Sequence, residues 1–503
     1  MKTSEMEKLL NLSVRYMKRQ ASSQPFKAQM MVLKRHFHNK RPRKNKESFR
    51  KYTTTFNSTQ LDWCMNIRDF MYKHDYFTPR KGVLMHPDMY LYYLYQVISI
   101  CYKLWKNYHV FSNEGDVFSF SRGRVKVFYA GKLSFRKNFK ISTDRAGYKE
   151  SYKNFQYYRA KFQGNRVLKI DIQDFFVNIN LDRLLDTLYK LNIMGRYDFR
   201  GEIYSLKRIF LESKYTSLPQ VEGSLASSLL SQIYLMPFTA QLNKIAKKMN
   251  LRVVRYVDDM YISLPKGFTN KQVHELENQI SSELWQLGLN LNSNKIELYS
   301  VNKYKNATTY NLDQSDSFGQ KFVSPQYIQD KIRSLVNDDG KQIRLFWNDV
   351  SKLYAEKGID LAKYGSLVNK YFSIKNDDAN KVIKGLVFGK EWQANLSTAT
   401  KKSLIDRPEI ILFDPGTFVM VLLQFEKNYQ AVSQNRGYFP VEDFIKRTHM
   451  ESPYYSVREG LVDTAYFLQN KKFLDSVEVQ KKILGLNFEY LKFLQNFYVG
   501  DSV

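Results

Sequence analysis

Two adjacent aspartates inside an apolar, strand-like run constrain this chain more than any other feature. Tyr256-Val257-Asp258-Asp259 is preceded by Leu251-Arg252-Val253-Val254-Arg255 and followed by Met260-Tyr261-Ile262-Ser263-Leu264. Aspartate is depleted in strands, whereas β-branched and aromatic residues are enriched there, so the pattern predicts a hairpin whose tip presents carboxylates. Turns also favour Asp for purely conformational reasons, and the tetrapeptide alone fits a plain surface turn as well as a cation site.

A second acidic segment lies upstream. Val167-Leu168-Lys169-Ile170-Asp171-Ile172-Gln173-Asp174-Phe175-Phe176 is an apolar run ending in carboxylates and two aromatics. It predicts a strand carrying Asp171, then a turn marked by Asn178 and Asp182 into a helix over 181–191. Two converging acidic strands are what two-metal phosphoryl transfer needs, because carboxylates from separate strands can hold Mg²⁺ ions roughly 3.5–4 Å apart and stabilise attacking and leaving oxygens together. Mg²⁺ is a hard cation, so Asp is the expected ligand and His or Cys is not.

At these residues the chain resembles the reverse transcriptases. Asp171-Ile172-Gln173-Asp174-Phe175-Phe176 is similar to their first acidic palm motif, and Tyr256-Val257-Asp258-Asp259 to their YxDD motif. Between them, the stretch from Glu222-Gly223-Ser224 through Ser231-Gln232-Ile233-Tyr234-Leu235 resembles the block QGxxxSxxLSxxYL, and Leu287-Gly288-Leu289-Asn290-Leu291-Asn292-Ser293-Asn294-Lys295 resembles GLxLNxxKT. The four blocks stand in the family's order, and the resemblance covers about residues 110 to 300.

The resemblance implies an α+β fold, a right-hand polymerase palm with fingers. It makes Asp171, Asp258 and Asp259 the catalytic carboxylates and places metal contacts at Asp171, Ile172, Asp258 and Asp259, for two Mg²⁺ ions with Mn²⁺ as a substitute. Phe176 would form the gate that clashes with a ribose 2′-hydroxyl and favours deoxynucleotides, while Phe175 reads as a core aromatic and Asp174 as a supporting or surface residue. Lys295 would be a proton donor or phosphate contact, since phosphoryl transfer needs a cation at the developing charge; a solvated lysine is the plain alternative. The nucleotide pocket would include Glu222 and Gly223. The family usually has glutamine before that glycine, so either Glu222 replaces it or a two-residue insertion has moved Pro219-Gln220. Lys153 and Arg159, in the basic segment before Asp171, are candidates for the triphosphate contact. The small residues around Ser224–Ser231 predict a thin helix that lets another backbone approach or packs on the palm.

Composition agrees with a nucleic-acid enzyme. Among 503 residues, 78 Lys and Arg stand against 49 Asp and Glu, a formal charge of +29. Such an excess suits a protein that neutralises phosphates, without specifying RNA or DNA. The 36 Tyr and 35 Phe offer stacking surfaces for unpaired bases and a large core, although AT-rich coding gives the same bias. Cys64 and Cys101 form no CxxC pair, which argues against zinc and a disulfide framework. No segment approaches the roughly 18 apolar residues of a membrane span, and the start of the chain has no apolar signal, so a soluble cytoplasmic protein is expected.

Three regions are expected. Residues 1–60 read as a basic extension: Lys34 to Lys51 carries nine Lys and Arg against Glu47 alone, and Lys40, Arg41, Arg43 and Lys44 are its candidate contacts to a nucleic-acid backbone, with a solvated disordered arm as the alternative. Residues 61–320 hold fingers and palm. Residues 321–503 turn to helical periodicity, as in Ile328-Lys331-Ile332-Leu335 and Phe418-Val421-Leu422-Phe425, and read as an all-helical C-terminal domain that replaces a thumb or forms a nucleic-acid or oligomer interface; a solenoid-like stack is one form it can take. No second catalytic set is visible there.

The chain lacks the NAxxH and VTG signatures of retron enzymes and the maturase or zinc endonuclease tail of group II intron enzymes. It looks most like the bacterial defence-associated and abortive-infection reverse transcriptases. That resemblance implies an antiphage role, DNA synthesis from dNTPs that copies a non-coding RNA or is untemplated, and homo-oligomers, and it allows protein priming. Two alternatives stand beside it: a retron-like enzyme making branched RNA–DNA, and a non-catalytic basic RNA-binding scaffold.

Overall fold

A computed structural model describes residues 3–23, 28–39, 67–72, 79–110, 123–129, 132–135, 140–142, 145–221, 224–312, 325–373, 395–405 and 413. The chain divides into two compact units, one of Met1–Pro25, Gln29–Ile67 and Gly82–Lys321, the other of Phe26–Ala28, Arg68–Lys81 and Phe322–Val503. In chain order the helices are α1 (Thr3–Ser23), α2 (Ala28–Asn39), α3 (Pro87–Tyr108), α4 (Arg145–Ala160), α5 (Leu181–Ile193), α6 (Arg200–Glu212), α7 (Leu225–Tyr234), α8 (Met236–Lys248), α9 (Asn270–Trp285), α10 (Val301–Leu312), α11 (Pro325–Lys357), α12 (Leu361–Phe372) and α13 (Thr398–Ile405). The strands are β1 (Ile67–Tyr72), β2 (Pro79–Leu84), β3 (Val125–Phe128), β4 (Lys132–Ser134), β5 (Lys140–Ser142), β6 (Val167–Ile170), β7 (Arg252–Tyr256), β8 (Asp259–Ser263) and β9 (Glu297–Tyr299).

Five strands form the sheet that organises the first unit, in the order β3-β7-β8-β6-β9. β3 runs parallel to β7, and the other three pairings are antiparallel. Side chains alternate across a strand, so this register sorts them by face. Leu168, Ile170, Val253, Met260 and Ile262 enter the main core with apolar residues of α5, α7, α8 and α9. On the other face Phe128, Val167, Val254 and Tyr261 pack with Phe155 and Phe162, from α4 and the loop after it, and Tyr304 of α10.

The helix α3 shows how sequence dictates position. It is apolar around most of its circumference, with Leu91, Leu94, Val97, Ile98, Ile100 and Leu104 all fully buried and its two lysines, Lys103 and Lys106, paired with Glu202 and Glu5, and a helix this apolar belongs inside. Its tyrosines bury rings while their hydroxyls find partners: Tyr90 donates to Gln20 Oε1, Tyr92 to Ser205 Oγ and Tyr102 to Glu5 Oε1, and the Tyr93 hydroxyl shares a hydrogen bond with Ser227 Oγ. Pro87 in the first turn and a left-handed His109 after the last turn bound it. The small-residue helix α7 is buried along its whole length and is capped by Ser224, whose side chain accepts from Ser227 N. Thus α1 and residues of the expected N-terminal extension pack within the same unit as the sheet, through Glu5, Gln20 and Leu9.

In the second unit, α11 is broken at Asn337–Gly340, where Asp338, Asp339 and Gly340 take positive φ. The Asp339 carboxylate then accepts from Ser397 N, Ser397 Oγ and Thr400 Oγ1, which caps α13. Phe346, Tyr364, Phe372 and Phe413 form its aromatic core, and Trp347 Nε1 donates to Leu404 O. The expected 418–425 helix lies outside the described residues. Among the described residues no helix is long and apolar enough to cross a membrane.

Leu229 is fully buried at the middle of α7. Leu229→Ala should cost about 2–5 kcal/mol of stability, read as a lower urea midpoint; an unchanged midpoint would contradict this placement.

Candidate active site

The acidic residues meet because of strand pairing. Ile170 faces Met260 in the antiparallel β6/β8 ladder, so Asp171, immediately after β6, stands beside Asp259 at the start of β8. The strand stops one residue before Asp171. What holds Asp171 is the segment carrying the last sequence block: Asn292 N donates to Asp171 O at 2.9 Å, Ile172 bridges Leu291, and Gln173 N donates to Asn290 O at 2.9 Å. Antiparallel pairing thus continues past the sheet and fixes the backbone on both sides of Asp171.

Asp258 sits in the loop between β7 and β8. Tyr256 pairs with Asp259, leaving only Val257 and Asp258 as the connection. Val257 has φ +53°, a conformation that glycine takes freely and a β-branched residue resists, at a cost of about 1–3 kcal/mol. Both peptide groups of Val257 are held. Its N–H donates to Phe128 O of β3 at 3.0 Å, and its carbonyl accepts from Arg255 Nη1 at 2.6 Å. Its side chain is buried in the main core.

Arg255 lies on the sheet face away from Asp259 and is fully buried. Its Nη1 also donates to Gln232 Oε1 of α7 at 3.0 Å and its Nη2 to Thr239 Oγ1 of α8 at 3.1 Å. Burial pulls its guanidinium down to about 9, a shift that the Asp258 charge opposes.

The carboxylates repel one another. Burial, then the charges of Asp259 and Asp171, push the Asp258 carboxyl from 3.8 up to about 7. Asp259 is raised as well, by burial and then by Asp171, against the pull of Lys169, Lys295 and Arg159. Both are half-buried. Asp171 is 3% exposed and has each oxygen engaged: Oδ1 accepts from Asn292 Nδ2 and Oδ2 from Lys295 Nζ, both at 3.1 Å. Desolvation works against the Lys295 ammonium, yet its hydrogen bond to Asp171 and the three carboxylate charges raise it overall.

An all-oxygen donor set with surplus, mutually repelling charge fits a hard divalent cation. Among the described residues no group of three or more His, Cys, Asp or Glu side chains stands close enough together to hold a metal ion as it is. Here the Lys295 ammonium supplies the counter-charge at Asp171, its side chain 55% exposed.

Aromatic residues wall the cluster. Tyr256 packs against Tyr152 and Phe155 of α4, at ring separations of 5.3 and 5.4 Å. Phe176 is half-buried against Phe175 at 5.3 Å, and Phe175 is core, as its position implied. Asp174 is exposed at φ +42°, in the turn after Asp171. Arg159 is 7% exposed, its guanidinium stacked on Tyr261 at 4.6 Å and its carbonyl taken by the Tyr304 hydroxyl. Lys153 lies on the exposed side of α4. Glu222, Gly223, Lys40, Arg41, Arg43 and Lys44 lie outside the described residues. Sequence reasoning missed Asn292, Gln232 and Arg255 as parts of the site. The signal was present for the last: an arginine inside an apolar strand must find acceptors.

Residues 132–341 match the family model described as reverse transcriptase (RNA-dependent DNA polymerase). That segment is a reverse transcriptase domain, and it makes the chain an RNA-directed DNA polymerase, a nucleotidyltransferase. No curated protein gives a significant match. Among solved structures the chain is similar to telomerase from Candida albicans in complex with a TWJ fragment of telomeric RNA, with a TM-score of 0.32 and 10% identity over 90% of this chain and 69% of that one, a likeness too distant to bear on chemistry.

The raised carboxyl of Asp258 has a consequence for stability. Its folded value exceeds the ordinary 3.8, so its contribution is fully present below about pH 4 and is lost as pH rises through about 7, where folding must accommodate a buried anion. In metal-free protein, Asp258→Asn should therefore gain stability over the parent at about pH 8 relative to about pH 5, by at least about 2 °C in melting temperature. Parallel melting curves for the two proteins across that range would sink this account.

Proposed function

We propose that this polymerase joins deoxynucleotides at Asp171, Asp258 and Asp259. The observation that carries the reading is the β6/β8 pairing within the matched segment, which sets the first acidic motif beside the second. Two divalent cations, Mg²⁺ with Mn²⁺ as substitute, would be held by the three aspartates with Ile172 at the same corner, and would supply Lewis-acid stabilisation of attacking and leaving oxygens.

The protein's own residues do the rest. Lys295 neutralises Asp171, and its exposure leaves the ammonium able to turn to a triphosphate and protonate or stabilise the leaving pyrophosphate. Phe176, five positions after Asp171 and packed against Phe175, would present the apolar wall that clashes with a ribose 2′-hydroxyl. Lys153, exposed on α4, and Arg159, stacked on Tyr261, would supply cations to the triphosphate. Glu222 and Gly223 complete the nucleotide pocket, and Lys40, Arg41, Arg43 and Lys44 dock a nucleic-acid backbone. RNA is the template or partner, dNTPs the substrates and DNA the product.

The biological role we propose is antiphage defence, in the manner of the abortive-infection enzymes: a homo-oligomer that copies a non-coding RNA or polymerises without a template, with a protein hydroxyl as primer. The long segment of helical periodicity after residue 320 supports that assignment. Sequencing the nucleic acid that copurifies with the protein decides among these routes; a 2′-5′ branch in it would favour the retron-like alternative, and phage protection that survives loss of all three aspartates would favour the scaffold.

Purified Asp258→Ala with Asp259→Ala should lose labelled dNTP incorporation by about a thousandfold or more, since two-metal stabilisation contributes several kcal/mol at 1.36 kcal/mol per tenfold. Activity that survives the double substitution would remove the assigned site. Phe176→Ala should cut the preference for dNTPs over rNTPs by about 10–100-fold, the range of a steric pocket, with dNTP incorporation retained; an unchanged ratio would strip Phe176 of the gate.

A further inference from the structure

We propose that Arg255 is a positioning residue for polymerisation: from the core side of the sheet it clamps the Val257 carbonyl and holds the strained two-residue turn that presents Asp258 and Asp259. The inference rests on the reading that those aspartates are catalytic. Arg255 lies on the sheet face away from Asp259.

A buried guanidinium is expensive to keep inside a protein unless its donors are used. Arg255 uses them on three different elements. Nη1 reaches the turn at Val257 O and α7 at Gln232 Oε1, while Nη2 reaches α8 at Thr239 Oγ1. Only Nε lacks a hydrogen-bond partner among the described residues. A planar fork can bind acceptors in fixed, diverging directions, which the point charge of a lysine cannot, and guanidinium is the more weakly hydrated cation. The turn is thereby tied to two helices of the core.

The turn needs such a tie. Val257 is the only residue of the hairpin loop with positive φ, and it is β-branched. A strained conformation persists only where surroundings over-determine it. Phe128 O fixes the N–H side of Val257, and Arg255 fixes the carbonyl side, which is the peptide leading directly into Asp258. Without the arginine, the Val257-Asp258 peptide can rotate toward ordinary φ, and the Asp258 and Asp259 carboxylates lose their common direction.

The distinguishing experiment is a rescue. Arg255→Met should lower kcat for dNTP incorporation by about a hundredfold with KM for dNTP changed far less, the penalty of displacing reacting groups by about 1 Å. Half-saturation should also need more Mg²⁺. Adding Val257→Gly should restore at least about tenfold of the lost kcat, because glycine takes positive φ without a clamp. A residue that merely fills the core would not be rescued by a backbone change in the turn.

If Arg255→Met does not accumulate as folded protein, Gln232→Met replaces it in the test. It should lower kcat about threefold, the size of one lost hydrogen bond, and be restored by Val257→Gly. Unchanged kcat in a folded Arg255→Met or Gln232→Met protein, or failure of Val257→Gly to rescue, overturns the role of Arg255 while leaving the catalytic aspartates in place. Activity retained by the Asp258→Ala, Asp259→Ala protein overturns the site itself.

Discussion

Three carboxylates crowded at one corner of a sheet are the constraint from which the surrounding arrangement follows. Asp258 is driven up to about 7 by burial and its neighbours, so the corner is unstable as an isolated set of charges. The protein answers with cations at graded depth. Arg255 is locked in the core on the opposite face, and Arg159 is buried against Tyr261. Lys169 lies on the strand next to Asp171, and Lys295 is exposed enough to change partner. Arg255 is buried with fixed hydrogen bonds, whereas Lys295 keeps its ammonium in contact with water.

The four sequence blocks act as one mechanical unit. The segment with Asn290, Leu291 and Asn292 pairs with the backbone around Asp171, and so the fourth block holds the first. The small-residue helix supplies Gln232, which steers Arg255, which grips Val257, and so the second block holds the third. Small side chains on α7 let Ser227 reach both Tyr93 of α3 and Pro219 O, tying that helix to the core. Order along the chain is therefore a record of who braces whom.

Residue by residue, legibility followed locality. The hairpin at 256–259, the helix after Asn180, the small-residue helix and the core role of Phe175 could be read because each rests on a local pattern of two or three side chains. The end of β6 before Asp171 could not, because the strand pattern runs on while the partner changes from β8 to the 290–292 segment. Arg159 has the composition of a phosphate contact, and only packing shows it under Tyr261. Periodicity reached Leu335 in α11 but gave no warning that Asn337–Gly340 would break the helix, a turn stabilised by Ser397 and Thr400 from far along the chain.

The link between Lys295 and Asp171 carries a thermodynamic consequence. Nζ occupies Oδ2 of the carboxylate that a divalent cation would share, so ammonium and cation compete for one oxygen. Competition at one atom is a coupling, and coupling is reciprocal: whatever cation displaces Lys295 from Asp171 also makes the ammonium available to another anion, and an anion that draws Lys295 away tightens the cation by the same factor. A triphosphate is such an anion. Under the proposed function, arrival of the triphosphate would be coupled to completion of the site through Lys295, while the turn at Val257 stays held by buried hydrogen bonds.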